Sequence, residues 1–213
     1  MSEQIHLLIT TTVEDNPQKL VKACQELMGA RLDPLTVVTS LQVQEEALKE
    51  AGIQTVQAPE ISNEDAFAQL FHVAQTLNAD PLQPLGVVLV VPAAKLSRIN
   101  IEELRACRTI FWHDWADIAV FGRPIFEEAD KNLPSHIKIV ANQNHRVLYM
   151  SRGPVPYGAD VMVAETGIRA YRYQALRQLA ETEPSPLERT ERVPLLRGLE
   201  AGLGCYLSLV TGK

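Results

Sequence analysis

Ser151-Arg152-Gly153-Pro154-Val155-Pro156-Tyr157-Gly158 is the stretch on which the reading of this chain turns. Two prolines in three positions force an extended backbone, and Gly153 and Gly158 free it at either end. Arg152 at its head carries a planar fork of donors that suits a carboxylate. Upstream, Ala116–Phe121, His136–Val140 and Arg146–Met150 read as strands. The last two face each other across Asn142-Gln143-Asn144-His145, a turn-forming run. Downstream, Tyr171–Ala180 and Pro186–Glu200 read as helices and Cys205–Val210 as a last strand.

The half before it alternates strand and helix. Ile5–Ile9 is a short buried strand followed by threonines, and Asn16-Pro17 opens a helix that carries Leu20, Val21, Cys24 and Leu27 on one face as far as Gly29. Leu35–Thr39 is a strand, Val43–Ala51 a helix ended by Gly52, and Ile53–Val56 a third strand. Asp65–Leu77 is a helix with Phe67, Leu70, Phe71 and Ala74 on one side. Gly86–Pro92 is a continuous β-branched run, the pattern of a central strand covered on both faces. Ile101–Cys107 is a short helix. This alternation predicts an α/β domain with a mostly parallel sheet.

Composition narrows the function classes. The chain has 213 residues, 46% of them apolar and 22% charged, which is an ordinary globular balance and fits one domain, residues 1–213. With 20 Lys+Arg against 26 Asp+Glu and no basic run, no footprint for nucleic acid is present. No apolar stretch reaches the roughly 20 residues that span a bilayer, and the start MSEQIHLLITTT lacks the features of a signal peptide. A cytoplasmic protein without a membrane partner is expected. Only Gly29, Gly52 and Gly86 fall in residues 1–121, which excludes a glycine-rich phosphate loop there. Cys24, Cys107 and Cys205 have no CxxC spacing, so buried thiols are expected rather than a disulfide or zinc site. The five histidines show no HxH or HxxxH spacing. Trp112-His113-Asp114-Trp115 places a His beside an Asp, but neighbours on a strand point to opposite faces. An exposed connecting segment is the simpler reading.

The run at 151–158 resembles the proline loop of the 3-deoxy-manno-octulosonate cytidylyltransferases, the CMP-Kdo synthetases. Residues 116–200 carry the resemblance. Upstream, ADIAVFGRPIFEEADKNLPSHIKIVANQNHRVLYM is similar to the family's strand, its Asn-Pro-any-Val-Lys-Val run and its hairpin. Downstream, GIRAYRYQALRQLAETEPSPLERTE is similar to its Gly-Ile-Tyr-Ala-Tyr-Arg strand and Pro-Ser-Pro-Leu-Glu helix start. Residues 1–115 fit the same alternation. The resemblance implies a nucleotide-diphospho-sugar transferase fold: a Rossmann-like α/β/α sandwich with a mixed sheet, and a β-hairpin arm at about 130–160 that pairs two subunits into a homodimer.

The family's reaction joins Kdo to CMP with CTP and Mg²⁺, and needs donors for a triphosphate, carboxylates for the metal and a base pocket. The family's phosphate loop is represented here by Thr10–Pro17, where Glu14 and Asp15 would repel a triphosphate by several kcal/mol at reduced dielectric. The base-binding run is represented by Ser62-Asn63-Glu64-Asp65-Ala66, which by itself reads as a helix N-cap. The metal aspartate corresponds to Ala94 and its neighbour to Lys95. The family's second metal carboxylate has no counterpart before Val210–Lys213. On the sugar side Arg152, Tyr157 and Glu188 stand in matching positions, while the family's histidine is replaced by Glu165, its tyrosine by Arg169 and its glutamine by Arg189.

These losses lead to the expectation of a diverged relative without cytidylyltransferase activity: no catalytic residue, no metal site and no cofactor. It would act as a binding or regulatory homodimer, with a protein partner such as a true cytidylyltransferase or another cell-envelope enzyme. The alternative is an active nucleotidyltransferase in cell-envelope polysaccharide synthesis. It would use CTP and Mg²⁺, Lys95 and Ser62 toward the nucleotide, and Arg152, Tyr157, Glu188 and Arg189 toward an acidic sugar. A sensor that keeps only the sugar pocket is a third expectation.

Overall fold

The computed structural model describes residues 5–30, 34–58, 66–78, 86–98 and 100–210. The first half gives strands β1 (Ile5–Thr10), β2 (Leu35–Thr39), β3 (Gln54–Gln57) and β4 (Val87–Pro92), with helices α1 (Pro17–Gly29), α2 (Gln42–Glu50) and α3 (Ala66–Leu77) between them. A 3-10 helix, Ala93–Arg98, follows β4 and leads to α4 (Ile101–Ile110). The second half contains β5 (Ile118–Ile125), α5 (Glu128–Asn132), β6 (Lys138–Ala141), β7 (Val147–Ser151), β8 (Met162–Arg172), α6 (Tyr173–Glu181), α7 (Pro186–Glu191), α8 (Leu195–Glu200) and β9 (Cys205–Leu209).

The sheet runs in the order β3-β2-β1-β4-β8-β5-β9. β1 is parallel to β2 and β4, and β9 is parallel to β5, but β8 lies antiparallel between β4 and β5. The sheet is therefore mixed, as the resemblance implies and contrary to the mostly parallel sheet read from the alternation alone. Its alternating residues feed two cores. Leu7, Ile9, Leu89 and Val91 pack with Leu20, Cys24, Leu27 and Leu104, whereas Leu8, Val88 and Val90 pack with Phe67, Leu70, Leu176 and Leu179. Strands buried on both faces explain the unbroken apolar runs of β1 and β4.

Local chemistry sets several boundaries. Asn16 caps α1, its side chain accepting from the Lys19 N–H at 3.1 Å, and Pro17 occupies the first turn. Tyr171 and Arg172, expected to start a helix, still pair with Val88 and Val87, so α6 begins at Tyr173. The helix expected over Pro186–Glu200 is two helices. Arg192 turns left-handed at φ +55° and Pro194 follows it, while Val193 is buried between them. β3 begins one residue later than expected, because Ile53 packs into the core ahead of the ladder. Asp65 and the rest of the expected N-cap, including Ser62, lie outside the described residues.

The hairpin of β6 and β7 turns through His145 at φ +61°, with Asn142 Oδ1 accepting from the N–H groups of Asn144 and Arg146 at 3.0 Å. It is joined to the main sheet: β6 pairs with β8, and Arg146 bridges to Tyr206 of β9. All three cysteines are free and buried, and burial pushes the Cys24 and Cys107 thiols up to about 12. Among the described residues no helix is long and apolar enough to cross a membrane.

One buried group ties stability to pH. His6 on β1 has its Nε2 2.9 Å from the hydroxyl of Thr36, and burial lowers its pKa below the ordinary 6.5. The unfolded chain then binds the proton more readily than the folded one. Stability from this site is complete above the unfolded value and falls as pH drops through it. Denaturant midpoints should decline between pH 7 and 5, with the decline reduced in His6→Leu. An unchanged pH slope in that variant would assign the effect elsewhere.

Candidate functional site

In open α/β sheets ligands bind beyond the carboxyl ends of the strands, here the ends of β1, β2 and β4. The turn after β1 is closed on itself. Asp15 Oδ2 accepts from the Thr12 N–H at 2.7 Å and lies 3.2 Å from the Thr12 hydroxyl. Gln44, buried on α2, donates from Nε2 to the carbonyls of Thr12 and Asp15, both at 2.9 Å. Its Oε1 accepts from the Thr39 hydroxyl at 2.5 Å and lies 3.0 Å from that of Thr11. One side chain thus fastens the turn to β2, and the Thr12 amide is taken by Asp15.

After β4 the chain winds into the 3-10 helix Ala93–Arg98. Ala94 and Lys95 are both exposed there. A cavity of about 460 Å³ lies between this segment and the start of α1, lined by Glu14, Asp15, Lys19 and Lys22 among others; Lys95 is outside its lining. Mg²⁺ needs a hard oxygen donor set in near-octahedral order. Ala94 offers none, Asp15 is held by Thr12, and no group of three or more His, Cys, Asp or Glu among the described residues could hold a metal. Among the described residues, Ala94 thus supplies no carboxylate at the position where the resemblance sets the metal aspartate.

Glu165 and Arg169, neighbours on one face of β8, form an ion pair at 2.5 Å. Burial opposes the charge on Arg169, but Glu165 and then Tyr171 outweigh it and raise the guanidinium pKa. Burial pushes the Tyr171 hydroxyl up to about 12. The two residues that differ from the family's histidine and tyrosine are thus each other's partners.

The proline loop is held at its head. Arg152 donates from Nε to the Glu191 carbonyl (3.1 Å), from Nη1 to Pro134 and from Nη2 to Arg192 (3.0 Å each). Glu191 accepts in return from the Arg152 N–H, the Ser151 hydroxyl and the Tyr149 hydroxyl at 2.8–3.0 Å. Burial would raise the Glu191 pKa, but these donors outweigh it and lower it. Lys138, fully buried beneath, donates to the carbonyls of Leu133, His136 and Arg152 at 2.6–2.9 Å. Glu188 is also buried. It closes a capping box with Ser185 and pairs bidentately with Arg197 at 2.7 and 2.8 Å. Tyr157 and Arg189 are exposed. The structure therefore places Arg152 and Glu188 in internal contacts, leaves Tyr157, Arg189 and Lys95 in solvent, and does not describe Ser62.

Comparison with protein-family models gives no match. A 3-deoxy-manno-octulosonate cytidylyltransferase of Mesorhizobium japonicum is 30% identical over 188 residues, 86% of this chain and 76% of that protein. The chain belongs to the 3-deoxy-manno-octulosonate cytidylyltransferase family. The same enzyme name attaches to a protein of Brucella anthropi, 42% identical over 100 residues, 45% of this chain but only 40% of its own length. In three dimensions the fold matches CMP:2-keto-3-deoxy-manno-octonic acid synthetase complexed with CTP, with a TM-score of 0.78 over 97% of this chain and 90% of that one. At 18% identity that match establishes the fold.

Within this cytidylyltransferase family fold, two functional-looking anchors escape sequence reading. Gln44 sits among ordinary surface helix residues, and its role depends on where α2 packs. Glu191 lies in a charged run, Glu188-Arg189-Thr190-Glu191-Arg192, with nothing to separate it from its neighbours. Glu188 had a visible signal: Ser185 three residues before it spells a capping box.

Proposed function

We propose that this member of the cytidylyltransferase family does not transfer CMP and acts as a binding or regulatory homodimer. The observation that carries the reading is the turn after β1. The Asp15 carboxylate takes the Thr12 N–H that a triphosphate would need, Gln44 fixes the turn by donating to its carbonyls, and Glu14 adds a further negative charge. Ala94 after β4 and the Glu165–Arg169 pair on β8 point the same way. The whole of 1–213 is read as one cytoplasmic domain. A second copy is the expected partner of the hairpin region, because Phe126, Leu133, Leu148, Tyr157 and Val161 expose apolar surface there.

The second reading, an active nucleotidyltransferase, is favoured by the open cavity carrying Lys19 and Lys22. Pyrophosphate release from CTP, Kdo and Mg²⁺ separates the two. The expected result is a rate equal to the protein-free blank. The thermal midpoint should also be unmoved by CTP with Mg²⁺, where a ligand at a hundredfold excess over its Kd would add about 2.7 kcal/mol. Steady turnover that scales with protein concentration would establish the second reading.

A further inference from the structure

The two edges of the sheet are finished differently. β9 is covered on its outer side by the hairpin tip, where the Leu207 N–H donates to the His145 carbonyl at 2.9 Å and Arg146 bridges to Tyr206. β3, the terminal strand at the other edge, pairs only with β2. Backbone groups along a strand alternate in direction. The Ala58 N–H donates to the Thr39 carbonyl at 3.1 Å, so the groups of Gln54, Val56 and Ala58 face β2 and those of Thr55 and Gln57 point outward. Among the described residues nothing pairs with these outward groups. The strand is Gln54-Thr55-Val56-Gln57, with unbroken register and without the charge, proline or bulge that usually blunts an edge.

A second observation falls on the same strand. Thr55 Oγ1 is the one buried side-chain nitrogen or oxygen among the described residues without a hydrogen-bond partner. A buried polar atom left unpaired calls for an explanation. Val37, level with Thr55 across the ladder, belongs to the core beneath α1 and α2, while Val56 packs against the core on the other face. Gln54 and Gln57 are exposed.

We propose that β3 pairs antiparallel with β3 of a second copy, symmetrically about Val56. That register sets Thr55 opposite Gln57 of the second copy and Gln57 opposite its Thr55. Both are positions whose backbone groups point outward, so each pair exchanges two N–H···O bonds. Directly opposed side chains share a face. The exposed Gln57 carboxamide of the second copy then reaches the Thr55 hydroxyl after a turn about χ1, and symmetry repeats the bond in the other chain. Val56 meets Val56 on the opposite face, and no charge opposes the contact. An unrelated strand would bond the same backbone groups, but the matched Gln57 donor and the Val56 pair come with this chain's own sequence and select a second copy. The contact is smaller than the about 800 Å² per partner of a stable interface, so it fills at high protein concentration. β3 and β9 lie at opposite edges, so the contact neither needs nor competes with pairing through the hairpin.

Hydrogen exchange of the full chain, resolved to Thr55 and Gln57, reads the pairing directly. In a single copy both amides point to solvent and exchange fast. The expected result is fast exchange at about 10 µM protein and exchange about fivefold slower at about 1 mM, as for a Kd of about 100 µM. Gln57→Pro removes the outward donor and the carboxamide but keeps the β2 ladder, so the slowing at Thr55 is lost while the urea midpoint stays unchanged. Gln57→Lys, at the same exposed position, gives the same loss and serves if the proline variant does not fold. Fast exchange at both concentrations overturns the proposal. So does slowing that is independent of concentration, or that survives in either folded variant.

Discussion

Arg197→Ala should lose about 3–5 kcal/mol of stability, the range for removing one partner of a buried ion pair. Arg197 and Glu188 are 7% and 8% exposed, and their two hydrogen bonds join α8 to the start of α7. The same guanidinium donates from Nη1 to the carbonyls of Leu179 and Thr182 at the end of α6, and lies over the Phe67 ring of α3 at 5.2 Å. Truncation leaves a buried carboxylate and two helix-end carbonyls without this partner. For a chain of this size each kcal/mol moves the thermal midpoint by about 2–4 °C, so a fall of roughly 10 °C is expected. Glu188→Leu with Arg197→Met removes the charge together with its partner and should recover part of the loss. If the double variant is as unstable as Arg197→Ala, packing rather than the stranded carboxylate carries the effect.

Lys138→Met should cost about 3 kcal/mol, the loss of three charge-assisted hydrogen bonds set against relief of a buried charge. Burial lowers the Lys138 pKa, and Arg152 nearby lowers it further, while Glu191 opposes both. Since the proton is bound less tightly in the folded chain, the unfolded chain holds it to higher pH, and stability from this site rises as pH climbs toward the ordinary lysine value. Its three carbonyls come from Leu133, His136 and Arg152, which tie the segment before β6 to the head of the proline loop. The loss should therefore appear as a lower urea midpoint and as faster amide exchange at residues 151–153 before global unfolding. An unchanged midpoint would mean that the cage carries no net stability.

Much of this arrangement was legible in the residues. Short, largely apolar runs gave β1 and β2 and a continuous β-branched run gave β4, because a strand covered on both faces has little polar surface to show. Asn16-Pro17 gave the start of α1, since cap and first-turn chemistry is local. The proline loop gave the family. The residue pattern named no strand at β8 and began a helix at Tyr171, because Tyr171–Ala180 carries a helical stripe. The resemblance of GIRAYR to a family strand was its one signal, and the pairing of Tyr171 with Val88 adds ladder bonds that no local pattern records. The split between α7 and α8 was missed because Leu195 and Leu196 continue the apolar period, although Val193-Pro194 stood there to be read.

The candidate site divides along the same line. Substitutions at Glu14, Asp15, Ala94, Glu165 and Arg169 were visible one at a time. What they form together was not. Asp15 holding the Thr12 amide, Gln44 fastening the turn and Glu165 paired with Arg169 all depend on side chains meeting across elements. Arg152 and Glu188, expected to face a sugar, were assigned by their place in the resembling motifs, and their nearest partners are backbone carbonyls and Arg197 contributed by other elements.

By itself the sequence determined the α/β class, the family and the positions where its residues depart from the motifs it resembles, because those rest on local periodicity and on residue identity. Only the tertiary structure decided which polar groups are already satisfied, and that His113, Trp115 and Tyr206 meet at the far end of the sheet. Hydrogen bonds and ring stacks between distant segments depend on angle and distance, and these exist only once the strands have chosen their neighbours.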